Sequence, residues 1–189
     1  NGKDAVKLAD VLACMGKDMA EVIPFLGLGL PLAAVLTALF WGLAKRHRGM
    51  AVPLFLFLVY LICMVQVVFF SREPGSRHGL DLALFSTWGN TAQSHAYVIE
   101  NVLLFLPFGM LFPFLSSRAE NLLFCTVSGA LISVLIETVQ LFTGRGYCQT
   151  EDVAANALGA FFGVLIFRTV LKRIFGKERK TGSPGPGSR

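Results

Sequence analysis

The sequence predicts an all-α fold: a polytopic transmembrane helical bundle of about five spans, with a short N-terminal amphipathic helix. Three observations carry this. Hydrophobic residues make up 54% of the 189-residue chain, charged residues only 15%, and there are 17 Phe. Mean hydropathy is +0.62. The charges are clumped, leaving long stretches with none, and those stretches approach the roughly 20 apolar residues that a helix needs to cross a bilayer.

Residues 1–21 form an N-terminal extracytoplasmic segment. Within it Ala5, Leu8, Ala9, Leu12, Met15 and Met19 recur at a helical period, so this segment is expected to lie along the membrane surface. Residues 22–175 form the membrane domain, with spans at about 22–44, 51–70, 98–115, 121–143 and 153–171. The second span carries one polar group at its middle, Gln66. The third contains Pro107 and Pro113, which a membrane helix tolerates when neighbours satisfy the freed carbonyls. Residues 176–189, ending in "TGSPGPGSR", read as a disordered cytoplasmic tail or an appended remnant.

Orientation follows from lysine and arginine. Eleven of the 17 lie in the "KRHR" loop at 45–48, at Arg118, and from Arg168 onward. The remaining six lie in the N-terminal segment and the loops around residues 71–97 and 144–152. The basic side is expected to be cytoplasmic. The N-terminus is then outside, the C-terminus cytoplasmic, and the 144–152 loop outside, in a bacterial plasma membrane. The net charge of +5 is explained by this asymmetry and by attraction to anionic lipid, not by nucleic-acid binding.

The four cysteines, at 14, 63, 125 and 148, form no CxxC pair and have no histidine at a zinc-like spacing; they read as small apolar residues. No phosphate-cradling glycine loop, haem pattern or iron–sulfur pattern occurs. No cofactor or metal is expected from these patterns.

The polar residues inside the spans are the informative ones. Ser133, Glu137 and Gln140 share one face of the fourth span. Glu137 lies six residues before the outer end, about 9 Å deep at 1.5 Å per residue, where a carboxylate facing lipid costs several kcal/mol and so turns into the bundle. Asp152 and Asn156 share a face of the fifth span. Below them Ala155, Gly159 and Gly163 form a small-residue ladder that admits another helix closely. Glu100 and Asn101 open the third span, and Arg145 lies in the link between the fourth and fifth. Helix direction therefore sends Glu100, Asn101, Glu137, Gln140, Arg145, Glu151, Asp152 and Asn156 to one outward layer. A purely structural role competes with this. Glu151 and Asp152 suit the first turn of a helix, Thr150 suits its N-cap and Gly144 the preceding C-cap, and an Arg145–Glu137 or Arg145–Asp152 pair would simply lock helices together.

The stretches "SREPGSRHGLDLALFSTW", "AYVIENVLLFLPFGMLFPFL" and "IETVQLFTGRGYCQTEDVAANALGAFFG" resemble the VanZ-like family of bacterial membrane proteins over roughly residues 50–170. The motif positions carried over are Asn101, Pro107, Gly109, Glu137, Gln140, Arg145, Asp152, Asn156 and Gly159. Glu151 stands where the family usually has Asp, and Asp81 where many relatives have Asn. The resemblance implies a multi-span helical protein. The founding member accompanies vancomycin-resistance genes and lowers susceptibility to the glycopeptide teicoplanin.

Three functional readings fit. One is a VanZ-like envelope protein that lowers susceptibility to teicoplanin-type glycopeptides through the outward polar layer, its partners being membrane lipids and the antibiotic or a lipid-linked cell-wall precursor. Another is an intramembrane enzyme acting on a phosphate-bearing lipid-linked envelope substrate. In that case Glu137 and Asp152 are catalytic, Arg145 holds the phosphate, and Asn101, Gln140, Glu151 and Asn156 complete the binding set. The third is a small lipid or solute transporter. It is disfavoured because the polar groups do not continue to the inner side and no internal repeat is evident.

Overall fold

The structure, a computed structural model, describes residues 7–43, 51–70, 75, 77–81 and 91–174. The "KRHR" loop and the tail lie outside the described residues.

The first helix, α1 (Leu8–Leu43), runs unbroken through Pro24 and Pro31. The amphipathic segment and the first expected span are thus one rod of 36 residues, about 54 Å long at 1.5 Å per residue. A bilayer core is only about 30 Å thick. Residues 22–43 of α1 carry no charged side chain, about 33 Å of helix, so the charged part before them continues past the hydrocarbon.

Four further helices follow, each long and apolar enough to cross a membrane. They are α2 (Ala51–Val65), which reaches that length with the turn that carries it on to Phe69, α3 (Ala92–Leu115), α4 (Leu122–Thr143) and α5 (Thr150–Ile166), whose helical path continues to Ile174. α2 ends in a π-helical turn, Gln66–Phe70. Gln66 thus opens the widened end of the helix, where the sequence reading had placed it near mid-span. α5 continues through a second π turn, Phe167–Leu171. α3 begins six residues earlier than the sequence reading put it, because Thr91 caps it: its hydroxyl accepts the Ser94 N–H at 3.1 Å. Asn121 caps α4 in the same way, accepting the Phe124 N–H at 3.0 Å.

The all-α expectation holds for the membrane domain. The structure adds one small feature, a two-stranded parallel ribbon of β1 (Arg77–Asp81) and β2 (Arg145–Gln149). Its register sets Arg77 opposite Arg145 and Asp81 opposite Gln149. An open two-stranded ribbon has unpaired edges that hydrocarbon cannot solvate, so it marks the membrane surface. Gly144 makes the sharp turn into β2 from α4. It holds φ 63° and ψ 30°, and its N–H reaches the Gln140 and Leu141 carbonyls.

The most extensive helix contact is α3 against α5. It is possible because both helices present glycine where they meet. A Cβ on Gly159 would lie 2.2 Å from the Val102 carbonyl oxygen, and one on Gly163 the same distance from the Leu106 oxygen. Around this seam Met64, Val68, Phe105, Phe108, Cys125, Ile136, Ala160 and Val164 form the buried core. A run of rings extends it, with Phe108 and Phe112 5.0 Å apart and Phe57 stacked on Phe112 at 6.2 Å. The outward faces are apolar too: Phe142, Leu131 and Leu135 are exposed, as suits side chains that meet lipid.

Candidate functional site

Each helix that ends near the ribbon delivers polar side chains there. On α4, Ser133, Glu137 and Gln140 are 0%, 3% and 3% exposed, so the face read from the i, i+4, i+7 spacing does turn inward. On α5, Asn156 is 3% exposed and Glu151, in its first turn, 7%.

Cross-element hydrogen bonds tie this layer together. The Asn101 amide of α3 donates to Asp152 Oδ1 of α5 at 2.7 Å. The Asn156 amide of α5 donates to Ser133 Oγ of α4 at 2.8 Å. Glu137 Oε2 accepts the backbone N–H of Gln149 at 3.0 Å, which fixes the end of β2 over α4. The Gln140 amide donates to the Val68 carbonyl at 3.0 Å, and the Arg145 guanidinium donates to the Phe69 carbonyl. Both carbonyls belong to the π turn that ends α2, whose last carbonyls have no helical N–H to meet. Gln140 and Arg145 therefore act as a side-chain cap on α2.

Asn101, Glu137, Gln140, Arg145, Glu151, Asp152 and Asn156 thus gather at one end of α3, α4 and α5. Glu100 does not join them. Neighbouring helix residues diverge by about 100°, so while Asn101 faces α5, Glu100 faces α1 and meets the Asp18 carboxyl. Gln93 of α3 donates to the same Asp18 at 3.0 Å. Asp18 and Gln93 were missed in the sequence; the only available signal was the acid interrupting the apolar stripe of α1. Thr150 is not the α5 cap either. Gln149 holds that position in extended backbone, with no side-chain bond, because the residues before Thr150 are engaged in the ribbon.

Two oxygens in this end of the molecule stand out. Asn156 Oδ1 and Glu100 Oε1 are buried without a hydrogen-bond partner among the described residues. Cys148, on β2 outside the spans, has its thiol pushed up from the ordinary 9.0 by burial, and further by the nearby Glu137 carboxylate. Among the described residues no three of the His, Cys, Asp and Glu side chains converge to hold a metal ion.

Long apolar helices bonded to one another by polar groups at one surface define a polytopic helical membrane protein with a polar layer at one face. Its family is settled by sequence comparison. The VanZ/LLP1 family model matches residues 57–173, and the chain belongs to that family. The protein is similar to Protein VanZ of Enterococcus faecium, with 25% identity over 121 residues, covering 59% of this chain and 71% of that protein. No solved structure matches.

Proposed function

We propose that this protein lowers susceptibility to teicoplanin-type glycopeptide antibiotics, acting through the polar layer between α3, α4 and α5, and that this layer opens outward from the bacterial plasma membrane. The observation that carries the reading is the convergence of Asn101–Asp152, Asn156–Ser133 and Glu137–Gln149 at the ribbon end. Buried polar groups are expensive in a membrane bundle and mark its working end. The charge pattern supports the orientation. Among the described residues the opposite end carries Arg118, Arg168, Lys172 and Arg173 against Glu120, while the ribbon end carries Asp81, Glu100, Glu137, Glu151 and Asp152 with Arg77 and Arg145. The more basic end belongs in the cytoplasm, which leaves the N-terminus outside and the C-terminus inside.

The ligand is then a polar headgroup met at the outer surface, either on the antibiotic or on a lipid-linked cell-wall precursor. The layer holds its own side chains in fixed bonds, which suits binding or remodelling without bond chemistry. The burial of Glu137 supports an enzymatic reading second, with Glu137 and Asp152 acting on a phosphate-bearing lipid-linked substrate. Teicoplanin susceptibility of a Gram-positive host carrying the wild-type gene, Asn101→Ala, Glu137→Gln or no gene tests both, alongside membrane abundance of each variant. Wild type is expected to protect and Asn101→Ala to protect less. Equal growth with and without the gene would sink the assignment. Full protection by a well-folded Glu137→Gln would remove acid–base work by that residue.

A further inference from the structure

The lipid-facing side of α4 carries a shallow groove of about 590 Å³ that starts at the end of the helix opposite the ribbon. Arg118 and Asn121 form one end of it, and Phe124, Val127 and Leu131 line its apolar length. Leu123 and Leu131 are 72% and 65% exposed, so the described chain leaves this face open.

The dimensions point to an occupant. From Asn121 to Leu131 the helix rises about 15 Å at 1.5 Å per residue. One leaflet of the hydrocarbon core, half of about 30 Å, has the same depth. The groove is therefore as long as an acyl chain, with a cation at its headgroup end. Arg118 has no carboxylate partner among the described residues, and the nearby Glu120 is already taken by Lys172. Asn121 uses its side-chain oxygen on the Phe124 N–H, which leaves its amide N–H groups for the headgroup. Arg168, Lys172 and Arg173, at the end of α5, make this end of the molecule basic without lining the groove.

We propose that this groove binds an anionic phospholipid from the leaflet at the Arg118 end, with its phosphate on the Arg118 guanidinium and an acyl chain along α4. A second copy of the chain fits less well. Two copies in one membrane share their orientation, so a two-fold pairing through this face sets their Arg118 side chains at the same level, like charge near like charge.

Native mass spectrometry of the full chain in detergent, titrated with phosphatidylglycerol or with phosphatidylcholine of the same acyl chains, tests the site. Wild type is expected to retain phosphatidylglycerol preferentially. Arg118→Glu is expected to weaken that retention about fivefold or more, since one basic residue at the surface is worth about that factor. Val127→Trp, which fills the apolar length, is expected to weaken retention of both lipids. Arg173→Glu makes the same charge change away from the groove and is expected to cost much less. Thermal unfolding of each variant confirms the fold. The proposal is overturned if wild type holds both lipids equally, if Arg118→Glu changes nothing, or if Arg173→Glu costs as much. It is also overturned if wild type is a dimer that Val127→Trp splits, which would make the groove an interface between copies.

Discussion

Gly159→Ala asks whether the α3–α5 seam holds the polar layer in place. The added Cβ would lie 2.2 Å from the Val102 carbonyl oxygen and 3.0 Å from its carbon. Both are backbone atoms, so no rotamer change relieves the clash. An ordinary carbon–oxygen contact is about 3.3 Å, so α5 has to retreat from α3 by about 1.1 Å. Val102 is the neighbour of Asn101, and Asp152 lies about two turns above Gly159. A retreat of α5 as a rod stretches the Asn101–Asp152 bond from 2.7 Å to about 3.8 Å, beyond hydrogen-bonding distance. Overpacking of this kind costs about 1–3 kcal/mol, and the lost bond about 1 kcal/mol more. For a chain of this size each kcal/mol moves the melting temperature by about 2–4 °C, so a drop of roughly 5–15 °C is expected for the folded protein in detergent. Helix propensity alone predicts the opposite sign, since Ala is favoured over Gly by about 1 kcal/mol. Gly27→Ala is therefore the control: its Cβ meets nothing within 4 Å, and it should melt at or above the wild-type temperature. A Gly159→Ala protein as stable as that control would refute the close seam.

Gln140→Leu should cost about 1–3 kcal/mol by orphaning the buried Val68 carbonyl. Because Arg145 bonds the next carbonyl of the same π turn, the double variant with Arg145→Ala should cost less than the two single losses added, a coupling that a thermal-unfolding double-mutant cycle measures. In a protein whose other cysteines are replaced, Cys148 should alkylate with a pH midpoint above that of a free thiol, because burial and the Glu137 carboxylate both disfavour its thiolate. Glu137→Gln removes one of those causes, so the midpoint should move down and alkylation at a fixed pH below it should speed up; an unchanged or higher midpoint contradicts this. Glu120→Ala should shift stability by under about 1 kcal/mol, since the Lys172–Glu120 pair is solvent-exposed and such pairs are weak.

Some of these features were legible in the sequence because they repeat at short range. The apolar runs of α2 to α5 are local, as are the Ser133, Glu137 and Gln140 spacing and the Gly159–Gly163 ladder, and each fixed a helix face in advance. The ribbon was not legible, because β1 and β2 are separated by α3 and α4 and five residues such as "RGYCQ" carry little strand signal of their own. The continuity of α1 was not legible, because the amphipathic pattern of residues 1–21 and the apolar run from residue 22 read as two elements, whereas one helix carries both, Pro24 and Pro31 included.

The partners of Gln140 and Arg145 were hidden for a more general reason. Both donate to backbone carbonyls, which every residue has and no sequence pattern marks. What exposed Val68 and Phe69 to such bonding was the π turn that ends α2. This changes what Arg145 means. A cation in an outer loop read naturally as a holder of ligand phosphate, yet part of its guanidinium is committed to α2, just as Asn101 is committed to Asp152 and Glu137 to the Gln149 amide. The residues nominated as a binding set are also the bonds by which α2, α3, α4, α5 and β2 hold one another at that surface. A substitution among them therefore perturbs assembly and recognition together. Only measurements that separate the two, melting temperature beside antibiotic susceptibility in the same variant, can apportion a lost phenotype between them.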